Sequence, residues 1–127
     1  MEKKKILLVD DEADFLEIMG ARIEEWGYAL IKASGGKLAI ELLKNNNPDI
    51  VILDYMMPQM DGLATLKQIR KINKDIPVII VTTRESDTDK RRGLEVGADA
   101  YILKSEFTSE GLLETIFAAG GTIYPPS

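Results

Sequence analysis

The sequence contains no cysteine and no histidine. Without cysteine, the chain cannot form a disulfide, a thiolate nucleophile or a cysteine-ligated metal site. Without histidine, it cannot build a Ser-His-Asp triad or a histidine metal cage, and it cannot carry a phosphohistidine of its own. Any chemistry in this chain therefore depends on carboxylates, hydroxyls, lysines or arginines.

The sequence also lacks a positive charge excess and long apolar runs. Its 16 Lys+Arg and 21 Asp+Glu give a net charge of -5, which argues against direct nucleic-acid binding because that needs a concentrated basic surface. No apolar run approaches the roughly 18 residues of a membrane span, so we expect a cytoplasmic protein. The length of 127 residues and a 45% hydrophobic content fit one domain with a substantial core.

Four short apolar runs lack the alternation of half-buried strands and are typical of parallel strands buried on both faces. They are Ile6–Val9, Ile50–Leu53, Val78–Val81 and Tyr101–Leu103. A fifth segment, Tyr28–Ala33, is interrupted by Lys32 and is expected at a sheet edge. Segments with helical spacing of apolar residues separate these runs. The alternation of strand and helix predicts a doubly wound α/β sandwich with helices on both faces of the sheet.

One helix candidate is weaker than the others. Residues 86–96 begin with turns that are nearly all polar and offer little apolar surface to bury. We expect this segment to be helical and to be the most mobile element of the domain.

Polar residues follow the four apolar runs directly. Asp10 and Asp11 follow the first run, Asp54 the second, Thr82 the third and Lys104 the fourth. Ligands of such sheets bind beyond the carboxyl ends of the strands, so these side chains are expected to share one crevice. Three converging carboxylates repel each other unless a cation lies among them, and Mg²⁺ prefers oxygen ligands. The pattern predicts a Mg²⁺ site.

Within that crevice, Asp54 can act as an oxygen nucleophile toward phosphorus and form an aspartyl phosphate. Lys104 can pair with one phosphoryl oxygen and the Thr82 hydroxyl can donate to another. Positioning and charge neutralisation supply most of what such a transfer needs. The residues therefore predict a phosphoryl acceptor.

Four strings carry a resemblance to a known family: LLVDDE from Leu7, ILDYMMPQMDG from Ile52, VTT from Val81 and GADAYILK from Gly97. Together they resemble the response-regulator receiver family, over about residues 4–119. The resemblance implies a flavodoxin-like (CheY-like) three-layer fold, with five helices and a five-stranded parallel sheet in the order 2-1-3-4-5. It implies a receiver domain over residues 1–119.

The resemblance also implies a role for each residue of the acidic site. Asp54 is similar to the phosphorylation site of the family. Asp11, Asp54 and the backbone carbonyl of Met56 correspond to the direct Mg²⁺ ligands, and Asp10 to an acid that acts mainly through metal-bound water.

Three further positions match the residues by which the family senses and transmits the charge. Lys104 and Thr82 correspond to the residues that contact the phosphoryl group, and Tyr101 to the aromatic residue that turns inward when the threonine moves. Output partners are expected on the face formed by the fourth helix, the fifth strand and the fifth helix. The chain is expected to be a monomer or a phosphorylation-dependent dimer.

The sequence departs from the family pattern at two positions. Ser105 follows Lys104, where the family often has proline across a cis bond; a cis bond before serine would cost roughly 2.5–4 kcal/mol, so a trans link or local strain is expected. Thr83 occupies a position usually held by alanine or glycine and is expected to narrow access for the phosphodonor.

Met56 and Arg84 are expected to flank the path of hydrolytic water and to set the lifetime of the signal.

The function implied is that of a phosphoacceptor rather than an enzyme, and its donor would be a histidine kinase or a histidine phosphotransfer protein. Two alternatives stay open. An aspartate-based phosphatase would share the nucleophile and the metal but would show turnover and need a second acid as general acid. A degenerate receiver would serve only as a docking module and would not be phosphorylated.

Residues 120–127 contain two adjacent glycines and two adjacent prolines and are expected to end the last helix. They are either a C-terminal tail or the start of an interdomain linker, similar to those that join some receivers to a DNA-binding module. A stand-alone receiver and the N-terminal domain of a transcription regulator both fit this ending.

Overall fold

The computed structural model describes residues 3–57, 60–83, 87–104 and 108–118. Five strands alternate with five helices along these residues. The strands are β1 (Lys5–Val9), β2 (Ala29–Ala33), β3 (Ile50–Leu53), β4 (Val78–Thr82) and β5 (Ala100–Leu103). The helices are α1 (Ala13–Glu25), α2 (Gly36–Asn46), α3 (Gly62–Ile72), α4 (Asp87–Val96) and α5 (Ser109–Ala118).

All five strands are parallel and lie in the order β2-β1-β3-β4-β5. This arrangement confirms the predicted fold class and strand order. Parallel strands place their carboxyl ends at the same edge of the sheet, so the residues that follow β1, β3 and β5 meet the last residue of β4 there.

Successive side chains of each strand point to opposite faces of the sheet, so both faces need a cover. Helices supply that cover on each side. Along β1, Leu7 and Val9 pack in a cluster with apolar residues of α2 and α3, whereas Ile6 and Leu8 pack in a second cluster with residues of α1 and α5. The two faces are therefore both apolar, which explains why the central strands show no alternation.

The burial of the strands differs between the centre and the edges of the sheet. The last four residues of β1 and every residue of β3 and β4 are buried. The prediction that Tyr101–Leu103 is buried on both faces was wrong, since β5 is only half-buried throughout. β5 pairs with β4 alone and forms one edge of the sheet, while β2 forms the other, as predicted for Tyr28–Ala33.

The weakest helix candidate is a helix over Asp87–Val96, and Ser86 lies outside the described residues. Two of its residues, Asp89 and Gly93, are buried. Within the described ranges, every helix is too short or too polar to cross a membrane.

The start of α3 packs closely against the first residues after β3. Asp61 caps this helix, its side chain accepting a hydrogen bond of 2.8 Å from the backbone N–H of Ala64. The backbone N–H of Gly62 donates to the carbonyl of Tyr55 at 2.8 Å. A Cβ at Gly62 would overlap the backbone carbonyl oxygen of Asp54 and lie 2.5 Å from the Cα of Tyr55. A side chain at this position is therefore incompatible with the positions of Asp54 and Tyr55.

Candidate functional site

Four predicted site residues come from four different strands and meet at the carboxyl edge of the sheet. Asp10 follows β1, Asp54 follows β3, Thr82 ends β4 and Lys104 follows β5. Asp10, Asp54 and Thr82 are buried, although they are polar, with exposed fractions of 1%, 4% and 0%. Buried polar groups need partners: Lys104 contacts both carboxylates, and Thr82 forms a hydrogen bond with Asp54.

Asp54 has a polar contact at each carboxylate oxygen. Its Oδ1 accepts a hydrogen bond of 3.2 Å from the backbone N–H of Met56, and its Oδ2 lies 3.8 Å from the ammonium nitrogen of Lys104. The Thr82 side chain also forms a hydrogen bond with this carboxylate. The acceptor predicted from the sequence is thus held between a cation, a hydroxyl and a backbone amide.

The electrostatics of Asp54 reflect its burial. Desolvation, followed by the negative charge of Asp10, raises the pKa of Asp54 from its ordinary value of 3.8 to about 6. The charge of Lys104 and the hydrogen bonds from Met56 and Thr82 act in the opposite direction and lower the pKa, but do not cancel the rise. Additional positive charge at the site would therefore stabilise the ionised carboxylate.

The ammonium of Lys104 is bound between acids of the same cluster. Its Nζ donates to Oδ2 of Asp10 at 2.7 Å and to Oε1 of Glu12 at 3.0 Å. Burial alone would lower the pKa of Lys104, but the hydrogen bonds to Asp10 and Glu12 and the charges of Asp54 and Asp10 raise it above its ordinary value. Lys104 is therefore a permanent cation at this edge of the sheet.

Three acids could together hold a metal ion. Asp10, Glu12 and Asp54 each offer a carboxylate oxygen, and these three atoms lie within 4.8 Å of one another. Oxygen donors of this kind suit Mg²⁺. Asp11, which the sequence analysis named as a direct ligand, lies exposed between β1 and α1 and is not a member of this group.

Sequence reasoning missed Glu12. This residue precedes the first residue of α1 and follows Asp10 by two positions, within the LLVDDE string. Its backbone N–H donates to Oδ1 of Asp10 at 2.9 Å, which turns the chain so that both side chains reach Lys104. The one sequence signal for Glu12 was its place as the third consecutive acid of that string. An acid at the start of a helix is usually explained by the helix dipole, so this signal was weak.

The remaining predicted residues lie around this centre. Met56 is 46% exposed, and Thr83 is exposed beyond β4. Tyr101 is half-buried in β5, and its ring meets that of Tyr55 edge to face with 6.3 Å between the centroids. The backbone carbonyl of Met56 as a ligand and the movement of Tyr101 stay predictions. Arg84 lies outside the described residues, as does the Lys104–Ser105 bond.

Comparison with known proteins agrees with this geometry. The family model described as "Response regulator receiver domain" matches residues 6–117. A probable transcriptional regulator, ycf27 of Porphyridium aerugineum, is 41% identical over 104 residues, which cover 82% of this chain and 43% of the relative. The alkaline phosphatase synthesis transcriptional regulatory protein PhoP of Bacillus subtilis is 39% identical over 101 residues, covering 80% of this chain and 42% of PhoP. The chain thus spans about two fifths of the length of these curated relatives.

Solved structures give the same result. The chemotaxis protein CheY4 of Vibrio cholerae superimposes with a TM-score of 0.87 at 29% identity, covering 93% of this chain and 99% of that protein. The receiver domain of the Francisella response regulator 1452 has a TM-score of 0.85 at 34% identity, covering 92% of this chain and 96% of that domain. On the match to the family model, the shared fold and the acidic site, the chain belongs to the response regulator receiver domain family.

Proposed function

We propose that this receiver accepts a phosphoryl group on Asp54 from a phosphohistidine of a histidine kinase or a histidine phosphotransfer protein. The observation that carries the proposal is the environment of Asp54, a buried carboxylate 3.8 Å from the Lys104 ammonium and hydrogen-bonded by Thr82. The chain contains no histidine, so the phosphohistidine comes from another protein or another part of a longer one.

In the transfer, a carboxylate oxygen of Asp54 attacks the phosphorus atom of the donor. A P–O bond forms while the P–N bond of the phosphohistidine breaks, and the departing imidazole nitrogen keeps the electron pair and is protonated. Lys104 and Thr82 pair with phosphoryl oxygens and stabilise the charge that spreads over them. The product is an aspartyl phosphate on this chain.

The residues present fit a Mg²⁺ ion. The available donors are all oxygen atoms, and burial together with the charge of Asp10 keeps the pKa of Asp54 raised despite Lys104, so a cation at this site would stabilise the ionised carboxylate. We propose that Asp10, Asp11, Asp54 and the backbone carbonyl of Met56 hold the ion. When bound, Mg²⁺ neutralises charge on the carboxylates and on the phosphoryl oxygens. Because Glu12 lies in the same acid group, it shares the electrostatic effect of the ion.

The signal is proposed to travel from Asp54 toward β5 as a shift between two populated conformations. Phosphorylation replaces a charge of about −1 by about −2. Thr82 and Lys104 then close on the new group, and Tyr101 repacks. The contact between Tyr101 and Tyr55, the residue after Asp54, supports a link between the site and the face formed by α4, β5 and α5. An output partner or domain would bind this face.

The proposed setting is a cytoplasmic two-component pathway. Relatives of this chain are named transcriptional regulators, and one structural neighbour is a chemotaxis protein covered over 99% of its length. The receiver, over residues 1–119, is therefore proposed to act either as the first part of a longer regulator or as a unit by itself. Residues 120–127 would be a linker in the first case and a tail in the second.

Incubation with acetyl phosphate, followed by intact mass measurement, tests the proposal. We expect one added phosphoryl group that requires Mg²⁺ and is lost in Asp54→Asn. The control Asp75→Asn removes an exposed acid in the α3–β4 loop and should leave the adduct unchanged. An adduct that survives in Asp54→Asn would contradict the assignment. Absence of any adduct would favour the docking module, and continuous release of phosphate over many turnovers would favour the phosphatase.

A further inference from the structure

Two residues at the start of α1 contact the ammonium of Lys104. Glu12 accepts a hydrogen bond of 3.0 Å from Nζ, and the centroid of the Phe15 ring lies 4.1 Å from the same atom. Residues three apart lie on the same side of a helix start, so an acid and an aromatic face act on one cation. The Lys104 side chain is only 10% exposed as a result.

The contacts of Nζ favour the segment between β1 and α1 over Asp54. Asp10 and Glu12 lie at hydrogen-bond distance, 2.7 and 3.0 Å, whereas the nearest Asp54 oxygen lies at 3.8 Å, which is too long for a hydrogen bond. The carboxylate of Asp10 is buried, so water cannot replace Lys104 as its partner. The Glu12 side chain is 59% exposed, so water can replace Lys104 there. Glu12 is therefore the releasable part of this arrangement.

We propose that Glu12 is a positioning residue that holds Lys104 in its resting location and opposes capture of the ammonium by a phosphoryl group on Asp54. The inference rests on the proposed function. Breaking the contact with Glu12 would accompany phosphorylation, so Glu12 biases the receiver toward the unphosphorylated conformation. Its removal should make the phosphoryl-bound state easier to reach.

A structural role for Glu12 makes a different prediction. Glu12 occupies the N-cap position of α1 but forms no side-chain capping hydrogen bond there. If it served only to stabilise the positive end of the helix, Glu12→Gln would lower the stability of the fold without changing the affinity of the site for a phosphoryl mimic.

The test measures binding of beryllofluoride, a mimic of the phosphoryl group, to the whole chain with saturating Mg²⁺. Glu12→Gln keeps the size of the side chain and removes its charge. We expect it to bind beryllofluoride roughly two- to fivefold more tightly than the parent, the range given by losing a partly exposed ion pair. The control Asp14→Asn makes the same charge change in the first turn of α1 and should leave the affinity unchanged. Equal affinity in the parent and Glu12→Gln, or weaker binding by the variant, would overturn the inference.

A second readout needs no phosphoryl group. The ¹H–¹⁵N signal of the Lys104 ammonium in the resting protein should shift or broaden in Glu12→Gln and stay in place in Asp14→Asn. A signal unchanged by Glu12→Gln overturns the inference even if the parent is phosphorylated normally. Conversely, a parent that takes up neither beryllofluoride nor a phosphoryl group, but shows the Glu12-dependent signal, contradicts the proposed function and leaves the positioning of Lys104 supported.

Discussion

At the scale of single residues, Asp54 is kept ionised against the preference of its surroundings. Burial and the charge of Asp10 raise its pKa to about 6 in the folded chain, compared with 3.8 as its ordinary value. A raised carboxyl pKa means that the folded state binds the proton more tightly than the unfolded state does. Below about pH 4 the carboxyl group is protonated in both states and does not lower the free energy of unfolding. As the pH rises from about 4 to about 6, the free energy of unfolding falls, and above that range the loss is complete.

The pH dependence of stability follows from this shift. In the absence of Mg²⁺, Asp54→Asn should raise the free energy of unfolding by on the order of 1–3 kcal/mol at pH 8, because it removes a buried charge. The gain should shrink as the pH falls toward 4, where Asp54 is protonated in both states. Urea unfolding at several pH values measures this, and a gain that does not change with pH would contradict the explanation.

Tyr28 is a second residue whose side chain is held at a cost. Its ring is buried with an exposed fraction of 2%, and no hydrogen-bond partner for its hydroxyl occurs among the residues that the structure describes. An unpaired buried hydroxyl loses its hydration without compensation. We expect Tyr28→Phe to leave the free energy of unfolding unchanged or to raise it by about 1 kcal/mol.

Tyr55→Phe is the matched control for Tyr28→Phe. The Tyr55 hydroxyl donates to Oδ1 of the buried Asp89, at 3.4 Å, so its removal should destabilise the fold. Urea unfolding of both variants at one pH makes the comparison. A loss of stability in Tyr28→Phe as large as that in Tyr55→Phe would show that the Tyr28 hydroxyl is satisfied in solution.

At the scale of elements, the junction between β3 and α3 determines where Asp54 lies. Gly62→Ala would push a methyl group against the backbone of Asp54 and Tyr55, which cannot move without displacing the Asp54 carboxylate. We expect a loss of about 1–3 kcal/mol in the free energy of unfolding, together with slower formation of the phosphoryl adduct.

Gly35→Ala is the control for Gly62→Ala, because a Cβ at Gly35 meets nothing within 4 Å and its φ of -174° is ordinary extended backbone. This variant should lose less than about 1 kcal/mol and keep the rate of adduct formation. Urea unfolding and timed intact mass spectra measure the two effects. Equal behaviour of the two alanine variants would show that the close approach at Gly62 does not hold Asp54 and Tyr55 in place.

The elements were predicted well where burial alone determines them. The three central strands are continuous apolar runs because helices cover both faces, and hydrophobicity therefore located them. The first residues of β1 and β5 were harder to predict, since Lys5 belongs to β1 through its pairing with Ala29, and Ala100 belongs to β5 through its pairing with Ile79. Burial of β5 was overestimated because an edge position depends on the order of the strands. That order came from family resemblance.

At the scale of the whole molecule, the fold creates the site by bringing together residues that are far apart in the chain. Asp10 and Lys104, 94 positions apart, are in direct contact. The rule that ligands bind at the carboxyl edge of parallel sheets was sufficient to predict that these residues meet. The rule could not indicate that Glu12 rather than Asp11 contacts Lys104. These two residues are adjacent in one turn, and the sequence does not show which of their side chains points toward the lysine.

The proposed function requires that Asp54 itself receives the phosphoryl group. Borohydride reduces an aspartyl phosphate to homoserine, so peptide mapping of the chain after treatment with acetyl phosphate and Mg²⁺ identifies the acceptor directly. The predicted result is homoserine at position 54 alone, present only when Mg²⁺ was included. Homoserine at another aspartate, with an unmodified position 54, would contradict the claim.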